Sequence, residues 1–181
     1  MGIAEGRRDR FHALIDRVHD PLYRYLRRRA PIDTADEVMG DVLLTLWRRL
    51  DDIPADGELP WSYAVARRAL ANTRRKTGRH LHLVERLKSQ PAAEVMDDRV
   101  DVSPELASAL ERLSPGEKEL VKLWAWEGLE PREIALILDT TANAISLRLG
   151  RVKAKLTREI SRQDSPRAGH KTGGHIGEQT R

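Results

Sequence analysis

The sequence predicts an all-α protein built from two small helical domains joined by a flexible linker. Apolar residues recur at spacings of three and four in nearly every strong segment, and no segment follows the two-residue period of a strand. Between the two helical parts lies a stretch rich in serine and proline without any period, which is typical of a linker. We therefore expect four parts: a domain at 1–88, a linker at 89–104, a domain at 105–161 and a flexible tail at 162–181.

Composition excludes several classes of protein. The 181 residues contain no cysteine, so disulfides, thiolate zinc sites and thiol redox sensing are absent from this chain. No apolar run approaches the length of a membrane span, and no signal sequence follows Met1. We expect a cytoplasmic protein without membrane insertion.

Charge is distributed in blocks behind the modest net value of +4. No acid occurs between Glu58 and Glu85, although this segment contains six arginines and lysines in two clusters. Acids then predominate from 85 to 105. Such alternation predicts two basic surfaces connected by an acidic segment, and basic surfaces favour anionic partners.

Three helices are predicted in the first domain. The first extends from about Phe11 to Leu26, and Pro21 within it predicts a kink or a break. The second runs from a cap at Thr34 to Leu50, and the third begins near Pro60. The intervening residues, 51–57, are rich in acids and turn formers and predict a loop.

The second domain begins with a short helix around Leu106 to Leu113. The following Ser114-Pro115-Gly116-Glu117 has the pattern of a capped helix start: a serine cap, a proline in the first turn and an acid three residues after the cap.

Residues 128–156 have the pattern of a helix-turn-helix. Pro131 and Glu133 favour a helix start, and Asp139-Thr140-Thr141 interrupts the apolar pattern. Either threonine can cap the next helix. In that helix an apolar stripe recurs at i, i+4, i+7 and i+11: Ile145, Leu149, Val152 and Leu156.

The opposite arc of this second helix is polar and basic, as a helix in the major groove of DNA requires. The alternative is an ordinary helical hairpin with a solvated basic face. Residues near the helix start are candidates for base contacts, and cations further along are candidates for phosphate contacts. The candidate DNA contacts are Asn143, Ser146, Leu147, Arg148, Arg151, Lys153, Lys155 and Arg158.

Two separated blocks resemble one family. The run from Ala35 to Trp47 resembles the second conserved region of the extracytoplasmic-function (ECF) sigma factors of bacterial RNA polymerase, and Trp61-Ser62-Tyr63-Ala64-Val65-Ala66-Arg67 is similar to the block that follows it. The helix-turn-helix, preceded by Leu113-Ser114-Pro115, is similar to the fourth region. The resemblance covers residues 10 to 160.

This resemblance implies a function for each domain. A region 2-like domain at 1–88 would bind the β′ clamp helices of core RNA polymerase and open the −10 element of promoter DNA. A region 4-like domain at 105–161 would bind the −35 element and the β flap. An anti-sigma factor is a further implied partner.

The acidic face of the second helix is the candidate site for core polymerase. Its acids lie on adjacent turns and would suit a basic helix on a partner, although surface solvation is the simpler interpretation. Apolar residues on the same helix exceed what we expect a small domain to bury. The candidates are Asp36, Glu37, Met39, Asp41 and Leu43.

The third helix is the candidate for the −10 element. Cations neutralise phosphates along a strand, and aromatic rings stack on unpaired bases. The candidates are Trp61, Tyr63, Arg67, Arg68, Arg74 and Arg75. The spacing of Trp61 to Val65 also fits a core position, and the loop at 51–59 is a candidate wall for a flipped base.

Some positions depart from the family pattern. Gly40 stands where glutamine is common, and Arg68 stands where asparagine is common, which puts hydrogen bonding to a flipped base in doubt. Asp139 replaces the usual turn glycine, although aspartate tolerates left-handed backbone. Leu147 and Gly150 replace small polar or basic residues, so the promoter sequence stays open.

No catalytic, metal or cofactor site is predicted. The histidines pair at His80 and His82 and recur at His170 and His175, without cysteine or an acid pair at ligand spacing. No nucleophile and base stand in a recognisable arrangement, so we do not expect an enzyme.

The predicted function is an alternative sigma factor that directs core polymerase to specific promoters. One alternative is a sigma-like mimic that binds an anti-sigma factor without reading promoters, but such a mimic need not keep cations on its recognition helix. Another is an activator using the helix-turn-helix alone, which the block from Asp36 to Trp47 argues against.

Overall fold

The computed structural model describes residues 2–84 and 103–164, and their fold is all-α, as predicted. No strand occurs within these two ranges. Most of the predicted linker and tail lies outside them. The seven α-helices are α1 (Gly2–Arg27), α2 (Ile32–Arg48), α3 (Glu58–Val84), α4 (Pro104–Glu111), α5 (Pro115–Ala125), α6 (Pro131–Leu138) and α7 (Ala142–Asp164), with a 3-10 turn at Leu50–Asp52.

Helix α1 passes through Pro21 without ending, so the expected break is absent. A proline inside a helix costs about 3 kcal/mol because it removes a backbone hydrogen bond and crowds the preceding turn. Val18, Leu22 and Tyr25 on either side of it are all buried. Their packing against the other helices offsets that cost.

Helix α2 begins at Ile32 rather than at the expected Thr34, and the cap position is Pro31 without a side-chain cap. Helix α3 begins two residues before Pro60, which stands in the first turn, where a missing N–H costs no hydrogen bond. Arg17 of α1 donates to both oxygens of Glu58, at 2.7 and 2.8 Å, and thereby attaches the start of α3 to α1.

Helices α1, α2 and α3 share one hydrophobic core. Each helix presents an apolar stripe to the other two, and burial of such side chains is the main stabilising term, roughly 1.5–3 kcal/mol for each large one. The fully buried members include Leu14, Val18, Leu22, Val38, Val42, Leu46 and Ala66.

Two helix starts of the second domain are capped by serines, of which Ser114 was predicted and Ser103 was not. Ser103 accepts a hydrogen bond from the N–H of Leu106 at 3.3 Å. Ser114 and Glu117 form the reciprocal capping box, in which the Ser114 N–H donates to Glu117 at 2.7 Å and the Glu117 N–H donates to Ser114 at 3.3 Å.

The helix-turn-helix is formed by α6 and α7. Asp139 adopts left-handed backbone, with φ 54° and ψ 57°, and the next N–H, of Thr140, donates to Ala135 at 3.0 Å. Thr141 is the capping threonine, because its hydroxyl accepts from the N–H of Ala144 at 3.2 Å. Helix α7 continues to Asp164 and so extends into the predicted tail.

The two domains are packed together, with α3 against α6 and a cluster of charged side chains beside them. Arg29 at the end of α1 lies 2.9 Å from Glu127 and 3.1 Å from Glu119, and Arg28 also pairs with Glu127. The side chain of Glu127 is 1% exposed. Paired charges can be buried in this way, whereas a lone charge would be costly.

Candidate nucleic-acid interfaces

Helix α7 presents a single exposed arc opposite its buried stripe. Ile145, Leu149 and Val152 are buried against the rest of the domain. The five candidates near the helix start are all exposed, and Leu147 is 55% exposed. They are Asn143, Ser146, Leu147, Arg148 and Arg151. An isolated leucine at that exposure is available for contact with a thymine methyl group.

The cations further along α7 differ in their partners. Lys155 lies 3.0 Å from Glu117 of α5. The pKa of Glu117 is lowered, chiefly because the backbone N–H of Ser114 donates to it and also because of Lys155. Lys153 lies over the ring of Trp124, 3.8 Å from its centroid, and Arg158 is exposed beside its own helix backbone. Lys155 is therefore partly engaged within the protein.

The two aromatic candidates on α3 have different environments. Tyr63 is 2% exposed and packs on Tyr25, with 4.8 Å between ring centroids. Burial raises the pKa of Tyr63 to about 12. The expectation that Tyr63 stacks on a base is corrected, because no face of its ring is available. Trp61 is half-buried, and the guanidinium of Arg49 lies 5.4 Å from its ring centroid.

The four arginine candidates on α3 divide between two sides of the helix. Arg68 and Arg75 face a cavity between α2 and α3. Arg67 instead lines a cavity of about 450 Å³ together with Arg148 and Arg151 of α7. Arg74 donates to the backbone carbonyl of Arg29 at 2.8 Å. The sequence pattern predicted that these four arginines form one surface. The structure instead places them in three environments.

The cavity between α2 and α3 has a volume of about 490 Å³ and is strongly basic. We call it the basic groove, and its charged lining consists of Arg48, Arg49, Arg68, Arg75, Lys76 and Asp41. Arg48 and Arg49 were not among the residues predicted to contact DNA. Their position directly after Trp47 was a signal that could have been used, because paired arginines at the end of an amphipathic helix point to an anionic partner.

The acidic candidates on α2 are exposed, whereas the apolar ones are not. Asp36, Glu37 and Asp41 are exposed, and Asp36 accepts a hydrogen bond from Tyr23 at 2.9 Å. Met39 is only 6% exposed, and Leu43 is half-buried against the core. The expectation that these two residues exceed what the core can bury is corrected, because Met39 belongs to the core and Leu43 packs against it.

Other apolar side chains are exposed on this helix. Ile32 is 52% exposed and Leu44 is 53% exposed, and Leu44 stands one turn beyond Asp41. Ile32 stands one turn before Asp36, whereas Leu44 lines the basic groove together with Asp41.

An apolar groove on the second domain was not predicted. It has a volume of about 490 Å³ and lies between α4, α5 and α7. Its apolar lining includes Leu106, Leu110, Val121, Trp124, Trp126 and Leu156, and both tryptophans are exposed. Lys118 and Lys122 stand at its rim. Exposed tryptophans beside an apolar cleft are typical of a protein-binding surface.

Metal-ligating side chains do not cluster in threes anywhere among the described residues. His80 and His82 stand on α3, whereas His170 and His175 lie outside the described ranges. Within those ranges no helix is long and apolar enough to cross a membrane.

Two family models match the chain in the order of its domains. Residues 14–80 match the model of sigma-70 region 2, and residues 103–156 match the model of sigma-70 region 4. The first match covers the helices that form the basic groove, and the second covers the helix-turn-helix.

Named relatives match the chain over most of their length. The chain is 29% identical over 171 residues to the RNA polymerase sigma-E factor of Streptomyces avermitilis, a match that covers 90% of this chain and 91% of that protein. It is 27% identical over 137 residues to the RNA polymerase sigma factor NccH of Alcaligenes xylosoxydans xylosoxydans, covering 70% and 73%.

Solved structures share the fold. CnrH, solved in complex with the cytosolic domain of CnrY, matches 86% of this chain and 89% of its own with a TM-score of 0.55 and 25% identity. The sigma factor RpoE of Bartonella quintana, solved with the anti-sigma factor NepR, matches 80% and 94% with a TM-score of 0.56 and 20% identity, which shows the fold alone. With both conserved regions present in order, the chain belongs to the extracytoplasmic-function sigma factors of bacterial RNA polymerase.

Proposed function

We propose that this sigma factor divides promoter recognition and polymerase binding among three surfaces of the described helices. The exposed arc of α7 reads the −35 element, the face of α3 toward α2 engages the −10 element, and the acidic face of α2 binds core polymerase. The observation that carries the proposal is the separation of a fully buried stripe from a continuous exposed arc on α7. We assign the first domain to residues 1–88, the linker to 89–104 and the second domain to 105–161.

Reading of the −35 element rests on the start of α7. Asn143, Arg148 and Arg151 are exposed and carry hydrogen-bonding groups suited to base edges, with Arg148 on the flank of the arc. Ser146 and Leu147 stand between them. Lys153 and Arg158 stand further along, where contacts with phosphates would orient the helix without selecting a sequence.

Engagement of the −10 element rests on Arg68, Arg75 and the half-exposed Trp61. The residues after α2 are attached to α1, since Arg7 donates to Asp51 at 2.5 Å and Arg10 donates to the carbonyl of Leu50 at 3.0 Å. A loop that is held on a rigid scaffold is suited to receive an unstacked base.

Binding to the β′ clamp helices is assigned to Asp36 and Glu37 together with the exposed Ile32, and Asp41 stands where this face meets the basic groove. Acids beside apolar side chains can attract a basic partner helix and then bury surface against it. For the second domain, the apolar groove between α4, α5 and α7 is the proposed seat of the β flap.

An anti-sigma factor is a further proposed partner, and it would act in the cytoplasm, where we place the chain. The support is that two sigma factors of similar fold were solved with such proteins: CnrH with the cytosolic domain of CnrY, and RpoE with NepR. A sigma-like mimic without promoter recognition is not favoured. A mimic has no need of exposed arginines on its recognition helix, and the named relatives are sigma factors.

The polymerase surface is tested by reversing its charge. The triple variant Asp36→Lys, Glu37→Lys and Asp41→Lys should lose co-purification with core polymerase, because like charges then face the basic partner helix. The matched control is Asp9→Lys, Asp16→Lys and Asp20→Lys on exposed positions of α1, which makes the same change in net charge. Circular dichroism checks that both variants stay helical. Unchanged binding by the α2 variant would contradict the assignment.

A further inference from the structure

A cavity of about 450 Å³ lies between the two domains, where α3 of the first domain packs against the helix-turn-helix. We call it the interdomain cavity. Three arginines line it: Arg67 comes from α3, and Arg148 and Arg151 come from α7. Its apolar lining consists of Leu120, Leu138 and Val152. The volume is within the usual range of small-molecule sites, about 300–1,000 Å³, so the cavity combines positive charge and apolar surface on the scale of such a ligand.

None of these three arginines has a hydrogen-bond or ion-pair partner within the two ranges that the structure describes, and all three side chains are exposed. The two acids of the lining, in contrast, are already paired with other cations. Glu117 lies 3.0 Å from Lys155, and Glu119 lies 3.1 Å from Arg29. Because like charges repel one another, three such arginines around one cavity favour an anion as its occupant.

The start of α5 lies at the same cavity through Ser114, Gly116 and Glu117. The first N–H groups of a helix lack intrahelical acceptors and give this end a partial positive charge. A Cβ added at Gly116 would meet no heavy atom within 4 Å, so a ligand can approach the backbone at this point. Glu117 offsets part of the charge through the capping box, and the arginines therefore supply the main attraction for an anion.

The chemistry of the lining selects a class of anion. A guanidinium group can bind a phosphate through two parallel hydrogen bonds, and it stays charged at physiological pH. Three guanidinium groups on two helices suit a chain of several phosphates better than a single phosphate. The apolar lining suits a flat ring, because small-molecule sites combine apolar walls with a few polar groups. A nucleoside polyphosphate carries both parts, whereas a DNA duplex is too large for a cavity of this volume.

We propose that the interdomain cavity binds a nucleoside polyphosphate, whose phosphates contact Arg67, Arg148 and Arg151 and whose ring packs on the apolar lining. A consequence rests on the proposed function, because Arg148 and Arg151 are also assigned to reading of the −35 element. An anion in the cavity occupies these two arginines and therefore competes with the −35 duplex. Arg67 belongs to the first domain and contacts the anion alone, so its substitution separates the two ligands.

Direct binding is measured by titration calorimetry of the full chain with inorganic tripolyphosphate and with ATP, in the absence of divalent cations. Both probes should bind, and ATP should bind more tightly because its ring packs on the apolar lining. Arg67→Ala should weaken the binding of both by about tenfold, the effect of one lost charge-assisted hydrogen bond. The matched control Arg8→Ala, at an exposed position of α1, should change affinity by less than about twofold.

Competition is measured by fluorescence anisotropy of a labelled −35 duplex. At ten times its Kd for the wild type, ATP should weaken duplex binding by about tenfold through mass action. Sodium sulfate at the same ionic strength is the control for screening and should have a smaller effect. For Arg67→Ala, duplex affinity without ATP should stay within about twofold of the wild type, and the same ATP concentration should weaken duplex binding much less. Circular dichroism checks that the variant stays helical.

Failure of the cavity site and failure of the proposed function give different results. Absence of saturable binding by both probes would overturn the site, and so would equal losses in Arg67→Ala and Arg8→Ala. An ATP affinity no higher than that for tripolyphosphate would overturn the nucleoside part of the proposal. If Arg67→Ala lost as much affinity for the duplex as for ATP, Arg67 would be a DNA contact and the site would be overturned. Absence of wild-type binding to any −35 duplex of a library would overturn the −35 assignment, while the ATP titration still decides the cavity site.

Discussion

Helices α3 and α7 both carry arginines that we propose contact DNA, yet the surroundings of the two helices differ. Helix α7 buries one stripe, formed by Ile145, Leu149 and Val152, and leaves the opposite arc exposed. Helix α3 packs against α1, α2 and α6. Its polar residues are therefore distributed among a domain contact, a groove and the core, and the same residue types have different uses on the two helices.

This difference indicates under which condition the spacing of apolar residues along a helix predicts its functional surface. Helix α7 contacts α4, α5 and α6, and only its apolar stripe is buried there, so the exposed arc of α7 can be predicted from spacing. On α3, an aromatic residue outside the predicted stripe can still be buried by a further helix, and an exposed arginine can be held by a contact within the protein. Tyr63 packs on Tyr25 in this way, and Arg74 reaches the carbonyl of Arg29.

The strongest test of the comparison removes one large side chain from each helix. Tyr63→Ala should lower the free energy of unfolding by about 3–5 kcal/mol, the usual cost of deleting a buried aromatic ring. Leu147→Ala, at an exposed position of α7, should change it by no more than about 0.5 kcal/mol. Urea unfolding measures both, and Tyr63→Phe serves as the control that keeps the ring. If the Tyr63→Ala variant kept its stability but no longer bound single-stranded DNA, the result would show that Tyr63 contacts DNA.

A smaller effect is expected at the reading face of α7. Arg148→Ala or Arg151→Ala should weaken binding to the preferred −35 duplex by about 1–3 kcal/mol and relax the preference at one position. Titrations on the preferred and a scrambled duplex measure this change. Arg8→Ala, on an exposed position of α1, removes the same charge as a control. Equal losses of affinity for both duplexes would mean that α7 binds DNA without reading its sequence. That result would favour the interpretation of the chain as a sigma-like mimic.

The smallest expected effect distinguishes between the cations in the carboxyl-terminal half of α7. Lys153→Ala and Arg158→Ala should each lower the salt slope of duplex binding by about 0.9, without altering sequence preference. Lys155→Ala should lower it by less than half of that, because Glu117 already neutralises part of its charge at 3.0 Å. Isotherms at four salt concentrations decide between these values. A full slope change for Lys155→Ala would mean that DNA replaces Glu117 as its partner.

The sequence by itself determined the helical class, the helix starts at Ser114 and Pro131, the turn at Asp139 and the exposed arc of α7. These features depend on neighbours within four residues or on one apolar stripe. Caps, left-handed turns and period are local, so they can be predicted without knowing what packs against them. The resemblance to the family supplied the order of the domains, which the matches to regions 2 and 4 support.

Only the tertiary structure decided the positions that have several neighbours. It buried Tyr63 and Met39, continued α1 through Pro21, and brought Arg48 and Arg49 opposite Arg68. The pairing of Arg28 with Glu127 joins residues 99 positions apart. No sequence period carries information over that separation, because the partner of a charged or aromatic side chain depends on which helices pack together.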